Sequence, residues 1–281
     1  MKNWGFFVYS PRARPISSLA AANAVIVKVP LKLKPVSSAS HKGLRSYQED
    51  RMFIASYEQG TLLGVFDGHG GAEVSEFVSE ELPTIFADLL LTTKTPRQTL
   101  KKAIERVAIE TENYRSGSTL SLVFIPFKGR FVYCAVIGDS PIIIKDSKGN
   151  INIGPDHNVR TNEEEAAAAI ERGGMIRDGY LLAGFYGPGL QMARALGDAQ
   201  LSRVLSRKPD IYSVRVNKDS FVIVASDGAF DPGHYEFEKA AEDVVKLVEL
   251  GSEAQAVVTR AVEARTEDNV TALVARFEET K

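Results

Sequence analysis

Five apolar runs in this 281-residue chain begin or end on a carboxylate. "LLGVFDG" ends at Asp67, "VYCAVIGDS" at Asp139 and "FVIVASDG" at Asp227. Asp268 in "RTEDNVTALVARF" and Glu49–Asp50 in "RSYQEDRMFI" stand immediately before two others. Asp and Gly favour turns, so any one of these sites is ordinary loop chemistry. Turn preference must, however, be invoked five times. The chemical alternative is a cluster of hard oxygen ligands, since Mg²⁺ or Mn²⁺ takes carboxylates, a carbonyl and retained waters in octahedral array. Carboxylates drawn together at strand ends repel one another unless cations neutralise them. The glycines of "DGHGG" let a backbone carbonyl turn inward after Asp67 and leave room for substrate.

Other chemistries find less support. The single cysteine, Cys134, excludes a disulfide framework and a thiolate metal site within the chain. It lies in the apolar run "FVYCAVIG" and reads as core. A thiol phosphatase would want an arginine six positions later, where Ser140 stands. A formal charge of -2 gives no basis for binding a nucleic-acid backbone, and no nucleic-acid partner is expected. No apolar run approaches the roughly 20 residues of a membrane span.

The elements that must position the carboxylates follow from periodicity and breakers. Strands are expected at 25–33, 36–41, 51–57, 61–67, 117–125, 130–138, 141–146, 211–216, 220–226 and 269–277. "DSKGN" (146–150) is a turn between two strand-like runs. Helices are expected at 71–91 and at 96–112, the latter with Pro96 in its first turn. A third opens at Thr161, which has capping-box spacing to Glu164, and stops at Gly173–Gly174. Two more occupy 236–250 and 253–264, the last opened by Ser252 with Gln255 three residues on. Strands in hairpin-like groups with paired helices between them fit two antiparallel sheets with helices outside. The first 48 residues carry eight Lys or Arg and no Asp or Glu, as organelle transit peptides do. The alternation of "NAVIVKVPLKLK" from Val25 favours a Lys-studded edge strand instead.

In sum, "GLRSYQED", "VFDGHGG", "GSTLSLVFI", "YCAVIGDS", "LQMARALGD", "FVIVASDG" and "EDNVTALVARF" resemble, in order, the metal-dependent Ser/Thr protein phosphatases of the PP2C (PPM) type. The resemblance implies an α+β fold, a four-layer αββα sandwich of two central antiparallel sheets flanked by helical pairs. It spans a phosphatase domain at 37–281, leaving 1–36 as a basic extension or additional strand. It also implies two Mg²⁺ or Mn²⁺ ions, with a weaker third. Asp67 would bridge the pair, Asp227 and Asp268 would complete one ion's protein ligands, and Glu49 with the Gly68 carbonyl would hold the other. Asp139 would share the third with Asp227. Arg45 matches the family's phosphate-binding arginine and His69 its proposed general acid. The implied reaction is hydrolysis of phosphoserine and phosphothreonine monoesters by a metal-bridging water. Partners would be phosphoprotein substrates. A monomer is expected, cytoplasmic or nuclear, or organellar if the acid-free start is a transit peptide.

Three features depart from the family: Pro141 replaces the arginine usual after "GDS", Phe230 replaces a tryptophan, and "DGYLLAGFYGPGLQ" (178–191) is unlike the usual segment. A PP2C-like scaffold without catalysis is the competing function, but such members lose the carboxylates retained here. Gly197–Asp198 and Asn269 read as support, Asn269 orienting the adjacent ligand. His41 and His234 read as surface and His157 as a loop residue.

Overall fold

Two antiparallel sheets lie face to face in the computed structural model, which describes residues 31–230 and 237–279. The first contains β1 (Leu31–Leu33), β2 (Ser37–His41), β9 (Ile142–Lys145), β10 (Ile151–Ile153), β15 (Phe221–Ala225) and β16 (Val270–Glu279). The second contains β3 (Arg51–Tyr57), β4 (Gly60–Phe66), β7 (Leu120–Pro126), β8 (Phe131–Ile137) and β14 (Asp210–Arg215). Its order is β14-β8-β7-β4-β3. Every residue of β4 is buried, because alternate side chains serve two different cores. Leu62 and Phe66 face the helices α1 (Glu73–Leu90) and α2 (Pro96–Glu110), whereas Leu63 and Val65 face the other sheet. That second core takes Ile142, Ile144, Val222, Val224 and Leu273 from across the interface. The first sheet buries its outer face against α4 (Phe237–Glu249) and α5 (Ala254–Glu263), through Val244, Val248, Val257 and Ala261. The layers are therefore helices, sheet, sheet, helices. Cys134 lies in the middle layer, fully buried.

Phe86 of α1 locks the outer core on one side, its ring centroid 5.6 Å from that of Tyr57 and 5.2 Å from that of Phe124. Phe86→Ala is expected to cost about 3–5 kcal/mol, because a cavity replaces a fully enclosed ring. Urea unfolding with an unchanged slope checks it.

Tertiary contacts decide several ends that local pattern does not. Helix α3 (Glu163–Glu171) is capped by Asn162, whose Oδ1 accepts from the backbone of Glu164 and Glu165 at 3.1 and 3.2 Å. Thr161 is drawn away to donate to the Asp156 carboxylate. At α5 neither Ser252 nor Glu253 caps; the Ala254 N–H donates to Ser37 Oγ of β2 at 3.0 Å. The expected strand 117–125 divides at Thr119. Its first part, β6 (Gly117–Ser118), joins β5 (Gly68–His69) and β13 (Leu196–Gly197) in a small sheet ordered β13-β6-β5. A hairpin of β11 (Met175–Arg177) and β12 (Tyr180–Leu182) follows α3. Edge strand β1 confirms the end of the 25–33 expectation, with Lys32 3.6 Å from Glu278. The expectations for residues 1–30 and for His234 lie outside the described residues. No described helix is long and apolar enough to cross a membrane.

Candidate metal centre and active site

The two sheets deliver carboxylates to one end of the sandwich. Asp67 leaves β4, and its backbone is tied to Thr119 in both directions, its N–H donating to Oγ1 at 3.0 Å and its carbonyl accepting from the Thr119 N–H at 2.9 Å. Thr119 Oγ1 in turn meets Ser140 Oγ at 2.7 Å, linking the Asp67 segment to the Asp139 segment beyond β8. Asp139 Oδ2 accepts from Asn158 Nδ2 at 2.9 Å. Asp227 opens a tight turn after β15, with the Phe230 N–H returning to its carbonyl at 2.7 Å. Asp50 is also buried, 4% exposed, and takes a 2.7 Å bond from Ser226 Oγ.

Burial, joined by repulsion between neighbours, raises the pKa values of this group. Desolvation pushes Asp67 well above the usual carboxylate range, and Asp227, Asp50, Asp268 and Asp139 push it further. Asp227 is raised the same way, first by burial and then by Asp139 and Asp268. Burial raises Asp139 against the Asn158 bond, and raises Asp50 to about 6. These interactions show that residues far apart in sequence converge. The fit to divalent cations rests on a separate observation: Oδ1 of Asp50, Asp139 and Asp227 is buried with no hydrogen-bond partner. Hard oxygens with free lone pairs, in a set that cannot ionise together unaided, suit Mg²⁺ or Mn²⁺.

Two expected ligands are occupied otherwise. Asp268 Oδ2 accepts from Arg45 Nη2 at 2.8 Å and its Oδ1 from the Asn269 N–H at 2.7 Å. Glu49 Oε1 accepts from the Gly71 N–H at 2.6 Å. Among the described residues no three His, Cys, Asp or Glu side chains are grouped to hold an ion by themselves. Gly68 lies against this segment; a Cβ there would stand 2.5 Å from the Glu49 carbonyl and 2.7 Å from Ser75 Oγ. Arg45 is half-exposed and its Nε donates to the Glu267 carbonyl at 2.9 Å. His69 Nε2 lies 2.7 Å from Asp198 Oδ2.

The family model for protein phosphatase 2C matches residues 35–270. The chain belongs to that family. The rice (Oryza sativa subsp. japonica) relative named "Probable protein phosphatase 2C 52" is 28% identical to this PP2C chain over 263 residues, 86% of this chain. The chain spans 50% of that relative's length. The solved structure described as a C. elegans sex determining protein superposes with a TM-score of 0.73 at 26% identity, over 86% of this chain and 64% of that one. The catalytic domain of the serine/threonine protein phosphatase PstP, in complex with two manganese ions, matches with a TM-score of 0.59 at 20% identity, over 89% of this chain and all of that one. The last likeness speaks for the PP2C fold alone.

Against the family, the departures here are absorbed by packing. Pro141 offers its carbonyl to the Ala225 N–H at 3.1 Å. Phe230 is buried and lies 5.4 Å, ring to ring, from Phe237. The unusual 178–191 segment closes through paired backbone bonds between Leu181 and Leu190, leaving Phe185 and Tyr186 exposed. Asn269 meets the adjacent Asp268 through its N–H, as expected, and supports a second segment as well. Its side chain holds the Glu49 N–H at 2.8 Å and the carbonyls of Lys42 and Tyr47, and so fixes the loop carrying Arg45 and Glu49. His157 is the loop residue expected, but a buried one: it is 1% exposed, its Nδ1 accepting from the Gly138 N–H at 3.0 Å and its Nε2 meeting Asp210 at 3.1 Å. Asp50 was within reach of a sequence reading as the second half of "ED"; Asn158 and Ser226 carried no comparable signal.

Proposed function

We propose that this chain is a metal-dependent protein serine/threonine phosphatase that hydrolyses phosphoserine and phosphothreonine monoesters. The observation that carries the reading is the convergence of Asp50, Asp67, Asp139 and Asp227 at one end of the sandwich, where Oδ1 of Asp50, Asp139 and Asp227 is buried and meets no protein donor. Asp67, Asp227 and Asp268 would hold one cation, and Asp67, Glu49 and the Gly68 carbonyl a second. Asp139 and Asp227 offer a third, weaker position. The manganese pair in the PstP complex supports two ions. When bound, divalent cations neutralise phosphoryl charge and lower the pKa of water.

The chain's own groups do the rest. Arg45 presents a planar fork to phosphoryl oxygens. Its Nε and Nη2 are anchored on Glu267 and Asp268, which fixes the plane of the guanidinium. His69, a quarter exposed, can reach a leaving group at the mouth of the site and protonate the seryl or threonyl oxygen. The test is hydrolysis of a phosphothreonine peptide beside bis-para-nitrophenyl phosphate, with Mn²⁺ or with EDTA. The peptide should be cleaved only with the metal. Full activity in EDTA, or preference for the diester, rules the proposal out.

A further inference from the structure

The small sheet β13-β6-β5 contributes little core of its own, yet it brings together two side chains 129 positions apart in sequence, His69 and Asp198. His69 ends β5, paired with Gly117 of β6; Gly197, also paired with Gly117, leads directly into Asp198. The carboxylate of the pair is enclosed, and the imidazole is a quarter exposed. Asp198 is 2% exposed and adopts a left-handed backbone conformation at φ 52°, uncommon for a residue with a side chain. That conformation is held by its N–H on the Ser116 carbonyl at 3.0 Å and by the Ala199 N–H on the Tyr114 carbonyl at 2.9 Å. Gln200 Nε2 donates to Asp198 Oδ1 at 3.3 Å, leaving Oδ2 for the imidazole. Gly117 keeps the space open. A Cβ there would stand 2.1 Å from Asp198 Oδ2 and 2.3 Å from His69 Nε2.

We propose that Asp198 is the positioning residue for His69, fixing the ring through Nε2 and thereby making Nδ1 the atom that protonates the leaving group. The inference rests on the phosphatase reading above. A carboxylate only accepts, so the nitrogen facing it carries a hydrogen, and the neutral ring is the Nε2–H tautomer. Nδ1 makes no hydrogen bond to a described residue. In the reaction, water's oxygen bonds to phosphorus and the P–O bond to the seryl or threonyl oxygen breaks, its electron pair leaving with that oxygen. The ring, protonated at both nitrogens, gives its Nδ1 proton to that oxygen; water's hydrogens stay with the phosphate product, and the ring is left neutral with its remaining hydrogen on Nε2, donated to Asp198 Oδ2.

Two measurements test this, one without turnover. In the Mg²⁺-loaded protein, a long-range ¹H–¹⁵N spectrum should show the neutral His69 ring protonated at Nε2, and Asp198→Asn should weaken that preference. Asparagine tolerates the left-handed backbone, so the fold is expected to persist. In turnover, Asp198→Asn should lower kcat on a phosphothreonine peptide at least ~10-fold more than on para-nitrophenyl phosphate, whose leaving group scarcely needs a proton. His69→Ala should show the same selectivity, and adding Asp198→Asn to it should cost nothing further. If Asp198→Asn does not fold, Gly117→Ala, which wedges the pair apart, should reproduce the selective loss. An Nδ1–H ring in the unaltered protein, equal losses on both substrates, or additive losses in the double variant overturn the assignment. Absence of any metal-dependent hydrolysis by the unaltered protein would instead remove the phosphatase reading, leaving the spectrum to judge the pair.

Discussion

Asp67→Asn is expected to reduce turnover of phosphothreonine peptides by about 10³-fold or more, a barrier increase of about 4 kcal/mol. The same variant should be more stable than the unaltered protein in EDTA at neutral pH. Both outcomes have one cause. Asp67 is raised well above the usual carboxylate range by burial and then by four neighbouring carboxylates. Its backbone is held by Thr119 through main-chain groups, so amidation leaves the local fold intact. What it removes is a partly buried charge, opposed by its neighbours, that cations would balance. Such a residue trades stability for function. Thermal melts in EDTA beside initial rates in Mn²⁺ check the pair of effects. A variant that melts lower in EDTA while losing activity would show that Asp67 does not bear uncompensated repulsion.

The positions of Asp67, Asp139 and Asp227 were legible in the sequence because each breaks a long apolar run. A strand buried on both faces shows no alternation, so its end is marked only by the first residue it cannot bury, and here that residue is acidic each time. The sandwich was legible for the same reason, since helix pairs and strand groups each have their own period. Support for the site was not. Strands β5, β6 and β13 are two residues each, too short to carry any period, and they pair directly beside the bonds that join Asp67 to Thr119. Thr161 and Asn162 are both able caps, and the choice turns on Asp156, which takes the threonine hydroxyl. Ser252 has good capping spacing, but Ser37, more than two hundred residues earlier, answers the helix's N–H. Asp50 and Glu49 are neighbours with opposite fates. One turns inward to Ser226, the other toward Gly71, a division that only the fold makes visible.

The metal-free protein is expected to lose stability as pH rises from about 5 to 7.5, and divalent cations to reverse the trend. In the unfolded chain the cluster's aspartates ionise near pH 3.8, whereas burial and mutual repulsion raise Asp50 to about 6 and raise Asp67, Asp139 and Asp227 as well. The folded form therefore binds more protons than the unfolded form above that lower limit. Stability from these groups is complete below pH 3.8 and falls as pH climbs through the folded values. Asp50 alone, lifted from 3.8 to about 6, accounts for a loss on the order of 3 kcal/mol in all, about half of it above pH 5. Asp146 and Asp210, whose pKa values are lowered, stay ionised throughout this window and contribute no slope. Cations bind the ionised carboxylates, so Mn²⁺ or Mg²⁺ should raise the melting temperature more at pH 7.5 than at pH 5, by about 5 °C or more at the higher pH. Melting curves in EDTA and in millimolar cation at both pH values measure this directly. A metal-free protein that grows more stable between those pH values, with no greater response to cation at the upper one, would mean that the aspartates are already neutralised by protein groups and that the site needs no metal to complete it.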